Sequence, residues 1–80
     1  VKHAREDYNR IQDPAGLIPE DEPVFLIRGQ DFVAPEAVEA WADLAESAGA
    51  EPGMVQSARD QAHEMRLWGK TYGDKLPDMP

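Results

Sequence analysis

The stretch Ala34-Pro35-Glu36-Ala37-Val38-Glu39-Ala40-Trp41-Ala42-Asp43-Leu44-Ala45-Glu46-Ser47-Ala48-Gly49 decides the fold. Proline fits the first turn of a helix, where its missing N–H costs nothing, and Glu36 complements the positive end of the helix dipole. Gly49 supplies a stop. At 100° per residue, Val38, Trp41, Leu44, Ala45 and Ala48 share one face, while Glu36, Glu39, Asp43 and Glu46 share the opposite one. The pattern predicts an amphipathic helix over 34–48, with its apolar face in the core and its acidic back in water.

Working outward, Ala50-Glu51-Pro52-Gly53 is a short connector, and connectors of that length make consecutive helices antiparallel. A second helix is predicted over 53–68. Val55, Ala58, Ala62 and Met65 form its core stripe, with Met54 and Trp68 beside it and Arg59, His63, Arg66 and Lys70 along one flank. Residues 2–12 carry no breaker and read as a short helix ended by Asp13-Pro14, because the residue before proline is pushed out of the α region. Leu17 and Ile18, in the connector that follows, are expected to tuck against the core. Residues 22–30 hold the run Val24-Phe25-Leu26-Ile27 between Pro23 and Gly29, which suits a short helix. A strand is the alternative there, and it would need a partner strand from another chain. From 69 to 80, glycines and prolines predict an irregular tail docked through Tyr72 and Leu76. The expected fold class is all-α: one helical domain over 1–80, with a central antiparallel helical hairpin and one or two short N-terminal helices.

The bulk numbers agree with a small domain. Of the 80 residues 41% are hydrophobic, but 11 of those are alanine, so few large side chains are available for burial. A second copy or a partner is expected to complete the apolar surface. Cysteine is absent, which excludes disulfides and thiolate metal sites. No basic-then-apolar leader and no span-length apolar run is present, so a soluble cytoplasmic chain is expected. The net charge of −8 is concentrated: residues 20–51 hold nine acids against Arg28 alone. Such a field repels phosphate backbones and argues against direct nucleic-acid binding.

Catalytic and metal-binding patterns are missing. Gly69-Lys70-Thr71 resembles the end of a phosphate-binding loop, but position 64 is Glu64 where the motif needs glycine, and a helix rather than a strand precedes it. His63-Glu64 begins like a zinc-protease helix, yet Leu67 stands where the second histidine belongs. Glu20-Asp21-Glu22 lacks the alternation of a calcium loop. Ser47, Ser57 and Thr71 have no base placed by the sequence. No enzyme activity, cofactor or metal is expected.

Two constellations remain. The acidic face Glu36, Glu39, Asp43 and Glu46 would meet a basic site on a protein partner, of the kind that ordinarily holds nucleic acid. Arg28, Arg59, His63, Arg66 and Lys70 are the candidates for binding a small anion such as a nucleotide, at a site that a second subunit could help to line. Each also has a plainer reading as a solvated charged surface.

The segments from Asp7 to Pro14 and from Ile18 to Asp31, the Ala34-Pro35 helix with Trp41, and Lys75-Leu76-Pro77-Asp78 together resemble a family of small acidic hypothetical proteins of tailed bacteriophages and prophages. The resemblance covers most of the chain. It implies a phage setting and action in a bacterial cytoplasm on a host or phage component, and it brings no known activity or site residues. The functional expectation is a non-enzymatic helical interaction protein, with the small-anion binder as its rival.

Overall fold

The computed structural model describes residues 2–8 and 13–78. It is mostly helical and built around a hairpin of α1 (Ala34–Ser47) and α2 (Pro52–Tyr72). Two short strands, β1 (Lys2–His3) and β2 (Pro23–Val24), and a 3₁₀ turn at Glu6–Tyr8 precede it. The described residues form two compact units: one runs to Ile27 and includes Asp78, and the other is Arg28–Pro77.

In the first unit, β1 and β2 pair in parallel, with Lys2 opposite Pro23 and His3 opposite Val24. Where a helix was expected over 2–12, the described part holds strand β1 at Lys2–His3 and the 3₁₀ turn at Glu6–Tyr8, and 9–12 lie outside the described residues. The segment 22–30 is not a short helix, and its strand pairs within the chain rather than with another chain. Lys2 and His3 carry no strand signature of their own, so the partner was invisible to periodicity. Arg5 organises this unit. It donates Nε to Asp7 Oδ1 at 3.0 Å, Nη2 to Asp7 Oδ2 at 2.7 Å and Nη1 to the Asp78 carbonyl at 2.7 Å. Its guanidinium also lies 4.5 Å from the Tyr8 ring centroid. Asp13 accepts from the backbone N–H of Leu17 and Ile18, and this turn leaves both side chains exposed instead of tucked against a core.

In the second unit, α1 starts at Val33 with no side-chain cap; Pro35 in its first turn removes one orphan N–H. It ends in a Schellman motif. Gly49 takes φ +89°, its N–H donates to the Glu46 carbonyl at 3.0 Å, and the Ala50 N–H donates to the Ala45 carbonyl at 2.9 Å. The left-handed φ is why glycine stands there. Pro52 then opens α2 directly. α2 runs through Gly69, four residues beyond the predicted end, and stops at Gly73, which also takes φ +89°. Gly69 is buried, and a Cβ there would lie 3.4 Å from the Asp74 side chain. This glycine does not terminate the helix. The tail docks through a parallel bridge of Asp31 with Lys75: the Phe32 N–H donates to the Lys75 carbonyl at 2.6 Å, and the Lys75 N–H to the Gln30 carbonyl at 2.8 Å. Tyr72 and Leu76 do not dock it; both are exposed.

The core is thin. Ala34, Ala42, Val55, Ala58 and Ala62 are its buried apolar residues, with Val38 and Ala45 packed against the Ala42–Val55–Ala58 cluster. Among the described residues no large side chain is fully buried. Facing alanines let the two helix axes approach closely, and a tryptophan in the seam would hold them apart. The predicted core face of α1 is therefore rotated. Val38 and Ala45 lie at the seam, while Trp41, Leu44 and Ala48 are exposed.

Candidate interaction surfaces of the helical hairpin

That rotation of α1 brings its acidic residues from the back of the helix to one edge of the hairpin seam, where the basic flank of α2 meets them. Arg59 donates Nη2 to Asp43 Oδ1 at 3.0 Å and bridges Glu46 through both Nη atoms at 3.2 Å. About two turns further along α2, Arg66 donates Nη2 to Glu39 Oε1. The proton on Arg59 is held more tightly than usual, chiefly by its hydrogen bonds to Glu46 and then Asp43. Three of the four acids read from the sequence are thus paired with two of the five basic candidates, Arg59 and Arg66. They form an interlocked polar edge. All of these side chains are substantially exposed, so the edge adds orientation and register to the hairpin more than stability.

Glu36, the fourth acid, lines a hollow of about 280 Å³ with Gly29, Asp31, Phe32, Met65, Arg66, Lys70 and Asp74. Of the five anion-binding candidates, only Arg66 and Lys70 reach this hollow. Three carboxylates share its wall and Arg66 is already engaged by Glu39, so the local field does not favour an anion. Arg28 and His63 are exposed and do not line it. Arg28 takes part in a turn in which its N–H donates to Asp31 Oδ2 at 3.3 Å and its carbonyl accepts from the Asp31 N–H at 3.0 Å. Among the described residues no group of three or more His, Asp or Glu side chains is arranged to hold a metal ion, and no helix is long and apolar enough to cross a membrane.

The opposite edge of the hairpin has the other character. Since the acids of α1 and the arginines of α2 meet on one side of the seam, the flanks turned the other way share the reverse side. On α1 that flank is Trp41 and Leu44, edged by Ala37 and Ala48; on α2 it is Met54, Trp68 and Tyr72, with Gln61 between. Trp41 is 50% exposed, Leu44 72%, Met54 51%, Trp68 44% and Tyr72 71%. The Trp68 and Tyr72 rings lie 4.9 Å apart at a tilt of 39°, a pair formed one turn apart along α2. Both tryptophans of the chain are on this face, and none of these five side chains is charged.

Sequence reasoning placed Trp41, Leu44, Met54 and Trp68 in or beside the core and so missed the face they make. A readable signal was present. α1 carries two adjoining apolar stripes, Ala34/Val38/Ala42/Ala45 and Ala37/Trp41/Leu44/Ala48, and the first is all small residues. Only such a stripe matches the Val55/Ala58/Ala62 stripe of α2 at close approach.

No protein-family model, curated protein or solved structure matches this chain.

Proposed function

We propose that this chain is a small non-enzymatic interaction protein that docks a protein surface through the apolar face of its α1–α2 hairpin. The observation that carries the reading is the five-residue patch Trp41, Leu44, Met54, Trp68 and Tyr72, left open over a core whose buried side chains are four alanines and one valine. Isolated exposed hydrophobics are ordinary, but an uncharged, aromatic-rich face shared by both helices has the composition of an interface centre. The acids first assigned to partner binding support it in a lesser role. Glu39, Asp43 and Glu46 are paired with Arg66 and Arg59 along the exposed edge of the seam, so the excess negative charge tunes encounter rather than forming the contact. The resemblance to phage and prophage proteins supports a phage setting for that docking, in a bacterial cytoplasm.

The reading is tested by placing a photo-crosslinking amino acid at Leu44, with Glu64 as a control position, and irradiating expressing cells. Adducts at 44 and none at 64 are expected. Absence of any adduct at 44, to another protein or to the chain itself, would remove the reading.

A further inference from the structure

We infer that the occupant of this face is a second copy of the chain, so that two hairpins close into a four-helix arrangement around Trp41, Leu44, Met54, Trp68 and Tyr72. This rests on the docking reading above and names its partner. Three observations carry it. The first is area. With whole aromatic side chains at about 150–250 Å² each, the exposed parts of the five residues come to on the order of 600 Å² per copy, or ~1,200 Å² for a pair, which reaches the lower bound for a specific interface. The second is the missing core. The hairpin fully buries no large side chain, whereas helical bundles normally bury theirs between facing helices. The third is self-complementarity. A two-fold axis sets the same patch against itself, which is tolerable only if the patch holds no like charges. Here the five residues and the intervening Gln61 are all uncharged, and the charged edge lies on the other side of the seam.

Each copy carries a net charge of −8, so encounter is opposed by repulsion that salt screens. Dimerisation should therefore strengthen as salt is added, the reverse of what an acidic surface meeting a basic partner would show.

The experiment is sedimentation analysis of the full chain from ~1 μM to ~1 mM, at low and high salt, alongside tryptophan emission. Both tryptophans of the chain lie on the face, so emission reports its burial directly. A mass rising from one chain to two, with a concentration-dependent blue shift that is promoted by salt, is expected. Leu44→Lys should weaken the pair on the order of 100-fold while leaving helix content unchanged. Tyr72→Lys serves as the second variant if Leu44→Lys fails to fold, and Leu67→Lys, on the outer side of α2, should leave dimerisation intact. A chain monomeric throughout the range overturns the inference. So does a blue shift independent of concentration, which would mean the chain's own residues cover the face, or a dimer indifferent to both Leu44→Lys and Tyr72→Lys. If the chain is monomeric yet Leu44 crosslinks a different protein in cells, this inference fails while the docking reading stands.

Discussion

The sharpest consequence of the rotated seam is an inversion of the usual rank of core substitutions. Val55 is 2% exposed and packs in the Ala42–Ala58 cluster, whereas the larger Leu44 is mostly in water. Val55→Ala removes two methyl groups at about 0.8 kcal/mol each, and the rigid alanine neighbours leave a gap that adds a cavity term, for a loss of ~2–3 kcal/mol. Leu44→Ala removes more carbon but only the minor buried part of it, and alanine is at least as good a helix former, so the loss is below ~0.5 kcal/mol. The assay is thermal unfolding followed by circular dichroism at low micromolar concentration, where a self-associated population is small. Val55→Ala should lower the melting temperature by on the order of 10–20 °C and Leu44→Ala by only a few. At high concentration the Leu44→Ala penalty should grow, because the wild type then gains stability from association and the variant does not. A Leu44→Ala loss equal to that of Val55→Ala under dilute conditions would refute the reasoning, since it would put Leu44 inside the folded monomer.

The remaining predictions are local. Gly53 sits in the first turn of α2 with open space where a Cβ would go, so Gly53→Ala should stabilise by about 0.5–1 kcal/mol in the same denaturation assay. Gly49→Ala, forced into the left-handed region, should cost about 1–2 kcal/mol. Arg59 has its pKa raised by folding, so its contribution is fully present below the ordinary guanidinium range and is lost only as pH rises through the raised value. Denaturation midpoints of wild type and Arg59→Gln should therefore differ by a constant amount between pH ~6 and ~9, and the difference should shrink in high salt. Hydrogen exchange should find the slowest amides in 38–45 and 55–66, around the buried cluster, with residues 2–8 and 13–27 exchanging first because two-residue strands hold few ladder bonds.

Local chemistry made the hairpin legible in the sequence. Pro35, Gly49 and Pro52 act on their own backbone, and each does in the fold what its residue type dictates: an entry, a left-handed stop and a second entry. The charge excess and the absence of thiols were likewise composition and nothing more. Tertiary contact decided the rest. The residue type alone does not say whether a glycine ends a helix: Gly69 lies within α2 with Asp74 beside it, while Gly73, at φ +89°, ends the helix. Lys2-His3 becomes a strand only because Pro23-Val24 runs alongside. The candidate site was misread for the same reason. A single helix's periodicity defines an apolar arc but not which part of that arc faces its neighbour, and here α1 offered an alanine stripe and a tryptophan–leucine stripe side by side. Close approach to the alanine stripe of α2 selected the first. That choice of about a quarter turn sent Trp41 and Leu44 to the surface and carried Glu39, Asp43 and Glu46 to the arginines.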